Sequence, residues 1–115
     1  MKTTKSDFSV FKKEVVRLLG VYGLTDWEFT VIHKYIDNST VSQTAAHFES
    51  RMVIFTLNTV IDFNSDITFI KNSAHHEVLE LLLWRLESWT CASRKTMARE
   101  EVHAIIQAII NAKGR

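Results

Sequence analysis

Little in this 115-residue chain points to the commoner binding and catalytic classes. It has a single cysteine, Cys91. That excludes an internal disulfide, fits a reducing compartment and rules out a multi-cysteine zinc site, so any metal has to be held by histidine and carboxylate groups. Its three glycines stand at positions 20, 23 and 114 and cannot form a glycine-rich phosphate loop. Neither sign of charge dominates: 14 basic residues face 13 acidic ones, without a block of either, so neither nucleic acid nor an anionic membrane surface is expected as a partner. No apolar run approaches the ~20 residues that cross a bilayer. The run around Leu81 to Leu83 is closed by Arg85 and Glu87, and Asp7, Lys12, Lys13 and Glu14 interrupt any stretch resembling a signal peptide. The expectation is a soluble, cytoplasmic chain, and 46% hydrophobic residues suffice for one core, hence one domain over 1–115.

What is present is periodicity. Phe8, Phe11, Val15, Leu18, Leu19 and Tyr22 recur at helical spacing, with Ser6 or Asp7 as N-cap and Gly20 or Gly23 near the far end. From Trp27 to Tyr35 the residues Trp27, Phe29, Val31 and Tyr35 alternate with Glu28, Thr30 and Lys34, which predicts a half-buried strand. Asp37-Asn38-Ser39 is a turn, after which Val41 to Phe48 and Arg51 to Asn58 are extended runs around a polar turn at Glu49-Ser50. These three runs predict an antiparallel meander. Beyond Asn64-Ser65-Asp66, which offers capping side chains, Ile67, Ile70, Ala74, Val78, Leu81 and Leu82 keep helical spacing to about Trp89. Lys71-Asn72-Ser73 is either part of that helix or a loop, with Ser73 capping a shorter helix from Ala74. A last helix, from about Thr96 to Ala112, carries the stripe Val102, Ile105, Ile106, Ile109 and Ile110. The fold class is α+β.

The chemistry concentrates in His75-His76-Glu77-Val78-Leu79-Glu80, inside an otherwise apolar helix. At about 100° per residue, His76, Glu80 and Glu77 share one arc of about 100°. Apolar residues flank that arc, so the helix belongs in the middle of the domain, where a histidine and carboxylates have to be paired, shifted in protonation or bound to a cation. His76-Glu77 also opens the His-Glu-x-x pattern in which one helical turn carries two metal ligands and the adjoining glutamate acts as general base. The alternative reading is an ordinary polar face, with His75 and His76 at the surface and Glu77 and Glu80 paired to lysine or arginine. A metal site on one turn needs a further ligand from elsewhere, and Glu100, Glu101 and His103 on the last helix are the candidates. His33 and His47, on expected strands, are reserve ligands. Trp84 and Trp89 read as core or core-edge packing, an exposed Trp89 signalling a dimer or partner surface. Ser73 with His75 or His76 lacks the acid for a triad and Cys91 lacks a nucleophile's context, so covalent catalysis is not expected.

The first helix, the strand opening Trp27-Glu28-Phe29, the strand Arg51-Met52-Val53-Ile54-Phe55-Thr56-Leu57, the His76-to-Leu83 helix and the final Glu-Glu-x-His helix together resemble the small phage-encoded metallopeptidase-like proteins related to SprT-like zinc proteins. The likeness spans about Trp27 to Ala112. It implies a minimal zincin: a three-stranded sheet packed on a helix bearing His-Glu-x-x-His, with a third ligand on a later helix. On this resemblance His76 is the first ligand and Glu77 the general base, with His103 or Glu101 completing the shell. Glu80 stands where the second histidine belongs. A carboxylate there can still ligate zinc, with weaker polarisation of the water, and also suits manganese or magnesium. Two functions follow from the likeness. One is a metal-dependent peptidase that aligns an extended substrate on the strand Arg51 to Asn58. The other is an inactive zincin-like scaffold that binds a host or phage protein, with Glu80 satisfied by Arg85, Arg94 or Arg99.

Overall fold

The computed structural model describes residues 1–62, 64–87 and 106–110. Helix α1 spans Lys5–Val21. Its cap is Thr4, two residues ahead of the expected Ser6 and three ahead of Asp7: the Thr4 hydroxyl accepts from the Asp7 N–H and the Asp7 carboxylate accepts from the Thr4 N–H, a reciprocal capping box that satisfies two otherwise orphaned donors. The helix ends on Gly23, whose φ of 69° is a left-handed conformation that glycine adopts without penalty. There Gly23 N–H donates to Gly20 and Leu24 N–H donates to Leu19, the Schellman pairing, with Leu19 and Leu24 both in the core.

Strands β1 (Glu28–His33), β2 (Ser42–His47) and β3 (Met52–Leu57) make one sheet in the order β1-β3-β2. Strands β2 and β3 form the expected antiparallel hairpin, with His47 opposite Met52. The sheet is nevertheless mixed and not an antiparallel meander, because β1 runs parallel to β3, Glu28 pairing with Met52 and His33 with Leu57. The cause lies in residues 34–41, which pass across the end of β3 instead of reversing beside β1. Asn58, fully buried just after β3, ties this crossing down. Its Oδ1 accepts from the Ile36 N–H at 3.1 Å, and its Nδ2 donates to the carbonyls of Asp37 at 2.8 Å and Thr40 at 2.6 Å. Asp37 folds the same segment on itself by accepting from the N–H groups of Ser39 and Thr40. Tyr35 therefore lies beyond the strand, half exposed, with its hydroxyl on Asn38.

Helix α2 runs without a break over Ile67–Glu87. Asp66 caps it, accepting from the Phe69 N–H at 2.9 Å. Ser73 caps nothing; its hydroxyl donates to the Phe69 carbonyl one turn back, inside the continuous helix, which excludes the loop alternative at 71–73. As its nearly all-round apolar sequence requires, α2 is central, packing on α1 and on β2. The core joins Phe11, Val15 and Leu18 of α1 to Val31, Val53, Phe55 and Leu57 of the sheet and to Ile70, Ala74, Val78 and Leu81 of α2. On the far side of α2, residues 106–110 are helical, and Ile106 and Ile110 pack with Leu79 and Trp84. The rest of the expected last helix, and Trp89, fall outside the described residues. Helices cover one face of the sheet. The other presents Met52 and Ile54 half exposed.

Candidate metal centre

The unbroken α2 places His76, Glu77 and Glu80 where the 100° repeat puts them, and one ligand atom from each lies within 4.8 Å of the others. His76 Nε2 approaches Glu80 Oε1 to 3.6 Å across one turn. Glu77 and Glu80 are buried and His76 is about one-third exposed, so the group is desolvated on one side and reachable on the other. It opens on a cleft of about 440 Å³ between β2, the first half of α2 and residues 106–110, lined by Ser42, Phe69, Asn72, Ser73, His76, Glu77, Gln107 and Ile110 among others. The alternative of a purely surface-facing pair of glutamates does not hold.

Glu77 points at the sheet. Ser42 donates to its Oε2 at 2.5 Å and Thr44 to its Oε1 at 2.6 Å, with a longer contact from Thr44 to the Glu77 carbonyl. Burial pushes the Glu77 carboxyl up to about 7, reinforced by the charge of Glu80 and a hydrogen bond with it, while the two hydroxyls pull the other way. His76 is held above its usual range by its hydrogen bond to Glu80 and the charge of both glutamates, against partial desolvation. Two carboxylates and one imidazole in a turn thus form a cluster that favours extra positive charge. A proton or a divalent cation can supply it.

The donor set fits such a cation. A histidine nitrogen with carboxylate oxygens suits zinc, and equally manganese or magnesium. Each Glu77 oxygen keeps a lone pair after accepting from its hydroxyl, so the β2 contacts do not consume its capacity. The other ligand candidates, His103 and Glu101 together with Glu100, lie outside the described residues, as do Arg94 and Arg99 and the side chain of Arg85.

The reserve ligands are placed elsewhere. Thr3 donates its hydroxyl proton to the Asn58 carbonyl at 2.7 Å, so at its 2.7 Å contact with His33 it accepts, which fixes the proton on His33 Nε2. Phe8 stacks on that ring. His33 is therefore a structural clasp, and His47 is exposed on the sheet face turned away from the helices. The strand expected to align a substrate, Arg51 to Asn58, cannot do so: β3 is central, with β1 and β2 hydrogen-bonded on its two sides. Among the described residues, the sheet edge beside the cleft belongs to β2.

Three functional neighbours escaped the sequence reading. Ser42 and Thr44 line the inner face of β2, where small polar residues replace the usual branched apolar ones, a signal that marks a polar neighbour opposite. His75 is buried, not a surface residue; its Nε2 lies 2.6 Å from the Tyr22 hydroxyl and the rings stack. The helical repeat held that information, since it puts His75 within about 20° of Leu82 and about 40° of Leu79.

No family model, curated protein or solved structure matches the chain, so the functional reading rests on its own residues. Among the described residues no helix is long and apolar enough to cross a membrane.

Proposed function

We propose that the protein is a zincin-like, divalent-metal-binding domain that hydrolyses peptide bonds, with His76 and Glu80 as ligands on α2 and Glu77 beside them. The observation that carries this reading is the convergence of three donor atoms within 4.8 Å at the wall of an open cleft. A bound dication would act there as a Lewis acid, stabilising charge that develops on a peptide carbonyl and lowering the pKa of a coordinated water.

The chain's own residues supply the rest. Glu77, whose carboxyl is raised to about 7 by burial and the neighbouring Glu80 in the metal-free protein, is the proton acceptor beside the ligands, where a general base is required. Ser42 and Thr44 fix the orientation of its carboxyl. The outer edge of β2, which pairs with no other strand among the described residues, is suited to adding an extended peptide as a further strand. His103 or Glu101 is the proposed further ligand, following the resemblance to SprT-like, phage-encoded proteins.

One observation favours a second reading, a non-catalytic zincin-like scaffold for a host or phage protein. Both Glu77 oxygens are engaged by β2 hydroxyls, as in a structural tie between helix and sheet. Metal analysis and titration separate the two. The metallopeptidase reading expects about one equivalent of zinc or manganese, lost in His76→Ala, and hydrolysis of unstructured peptides abolished in Glu77→Gln with the metal retained. A protein that takes up neither metal at saturating concentration would exclude it.

A further inference from the structure

The outer face of the sheet has three rows of outward side chains fixed by the register. Glu28, Met52 and His47 form the first row, Thr30, Ile54 and Ala45 the second, and Ile32, Thr56 and Gln43 the third. The first two rows are open, whereas in the third Thr56 is buried and shares a concavity with Lys34, Tyr35 and Ile36 of the same chain. Met52 is 51% and Ile54 45% exposed on the middle strand. This apolar spine is flanked at one end by a carboxylate on one edge strand and an imidazole on the other. A concavity of about 610 Å³ lies along it, with Trp27 and Phe29 at its margin.

We propose that this face is the interface of a homodimer, two copies stacking sheet on sheet about a two-fold axis that runs parallel to β3. Rotation about that axis keeps the strand direction and exchanges left with right, so β1 of one copy lies over β2 of the other. Met52 and Ile54 then meet their own counterparts on the axis. Glu28 meets the partner's His47, and His47 the partner's Glu28, giving two equivalent carboxylate–imidazole contacts. A two-fold axis perpendicular to the strands would instead lay β1 over β1 and set Glu28 against Ile32, burying a carboxylate on an alkyl side chain. Pairing the carboxylate with a hydrogen-bonding imidazole, not with an alkyl side chain, therefore selects the first arrangement. Two twisted sheets stack in this way at a small angle.

The contact is modest. Three strands about 4.8 Å apart, with two open outward positions each, have a footprint of about 200 Å² per copy. Lasting interfaces bury about 800 Å² per partner, so this association is weak and depends on concentration.

Sedimentation equilibrium of the full chain, from about 10 µM to about 1 mM, tests the proposal in the range expected of a small interface. The native protein should move from monomer toward dimer and stop there. Ile54→Arg, at a position 45% exposed on the outer face, should raise the dissociation constant at least about tenfold with an unchanged circular dichroism spectrum. Glu28→Arg and His47→Glu should each weaken association, and the double variant, with the charges exchanged, should recover most of the loss. A monomer throughout the range, or a dimer indifferent to Ile54→Arg, overturns the interface. A dimer that Ile54→Arg breaks but the exchanged charges do not rescue overturns the two-fold geometry.

Discussion

At the scale of single residues, Glu77 decides how the protein responds to pH. Its folded-state pKa of about 7 stands above its ordinary value of 4.5. The native state therefore holds a proton that the unfolded chain has released. Stability from this group is fully present below about pH 4.5 and is lost as pH rises through about 7, with an upper bound on the order of 3 kcal/mol for a shift of this size. His76, also raised, acts with the same sign. Urea unfolding of metal-free protein should show lower stability at pH 8 than at pH 5, and Glu77→Gln should remove most of the difference. A pH dependence unchanged by that substitution would show that the carboxyl is not the source. Zinc or manganese would act against this trend, because a dication competes with the same protons. At about 100 times its dissociation constant it should add about 2.7 kcal/mol. For a domain of this length that is a rise of roughly 10 °C in melting temperature, reversed by a chelator and absent in His76→Ala. The triad itself was legible in the sequence because three positions on one helix are related by helical geometry alone. Ser42 and Thr44, polar on the inner face of a strand, signalled only that some polar group lies opposite; that it is Glu77 depends on how β2 meets α2, which no local pattern encodes.

At the scale of elements, the alternation that revealed the strands carries no information on their direction. Inward and outward positions alternate identically in parallel and antiparallel pairs. What makes β1 parallel to β3 is the route of residues 34–41, and that route depends on Asn58, a polar residue at the end of an apolar strand. The helices were easier to read, because their boundaries rest on local chemistry. Even so, the N-cap was misplaced from Thr4, where a threonine three residues before Asp7 carried the capping-box signal. Asn58→Ala would leave the Ile36 N–H and the carbonyls of Asp37 and Thr40 without their buried partner. At about 1 to 3 kcal/mol for each group left unsatisfied, a net loss of about 3 kcal/mol is expected by chemical denaturation. Asn58→Asp should recover only part of it, since a carboxylate can accept from Ile36 but cannot donate to the two carbonyls. A loss below about 0.5 kcal/mol, the level of an ordinary surface substitution, would show that the crossing holds without the clasp.

At the scale of the whole molecule, the sheet separates two surfaces. Ser42 and Thr44 turn inward to Glu77, whereas Gln43, Ala45 and His47 turn outward to the exposed face. The same strand thus serves the metal cluster on one side and the proposed dimer on the other, while the cleft opens between β2, α2 and residues 106–110, clear of the stacked faces. Coupling between two sites requires that binding at one change the conformation or the charge at the other. Here β2 is tied to β3 by a regular ladder from Ser42–Leu57 to His47–Met52, and no described residue belongs to both sites. The two equilibria should therefore be independent. Calorimetric titration with zinc or manganese should give the same dissociation constant for the native protein and for Ile54→Arg, within about twofold, at protein concentrations that favour either monomer or dimer. Conversely, His76→Ala should leave the dimer's dissociation constant unchanged. A shift of about tenfold in either experiment would amount to about 1.4 kcal/mol of coupling. Such a shift would identify β2 as a strand that moves between two positions, and substrate alignment on its edge would then depend on the assembly state.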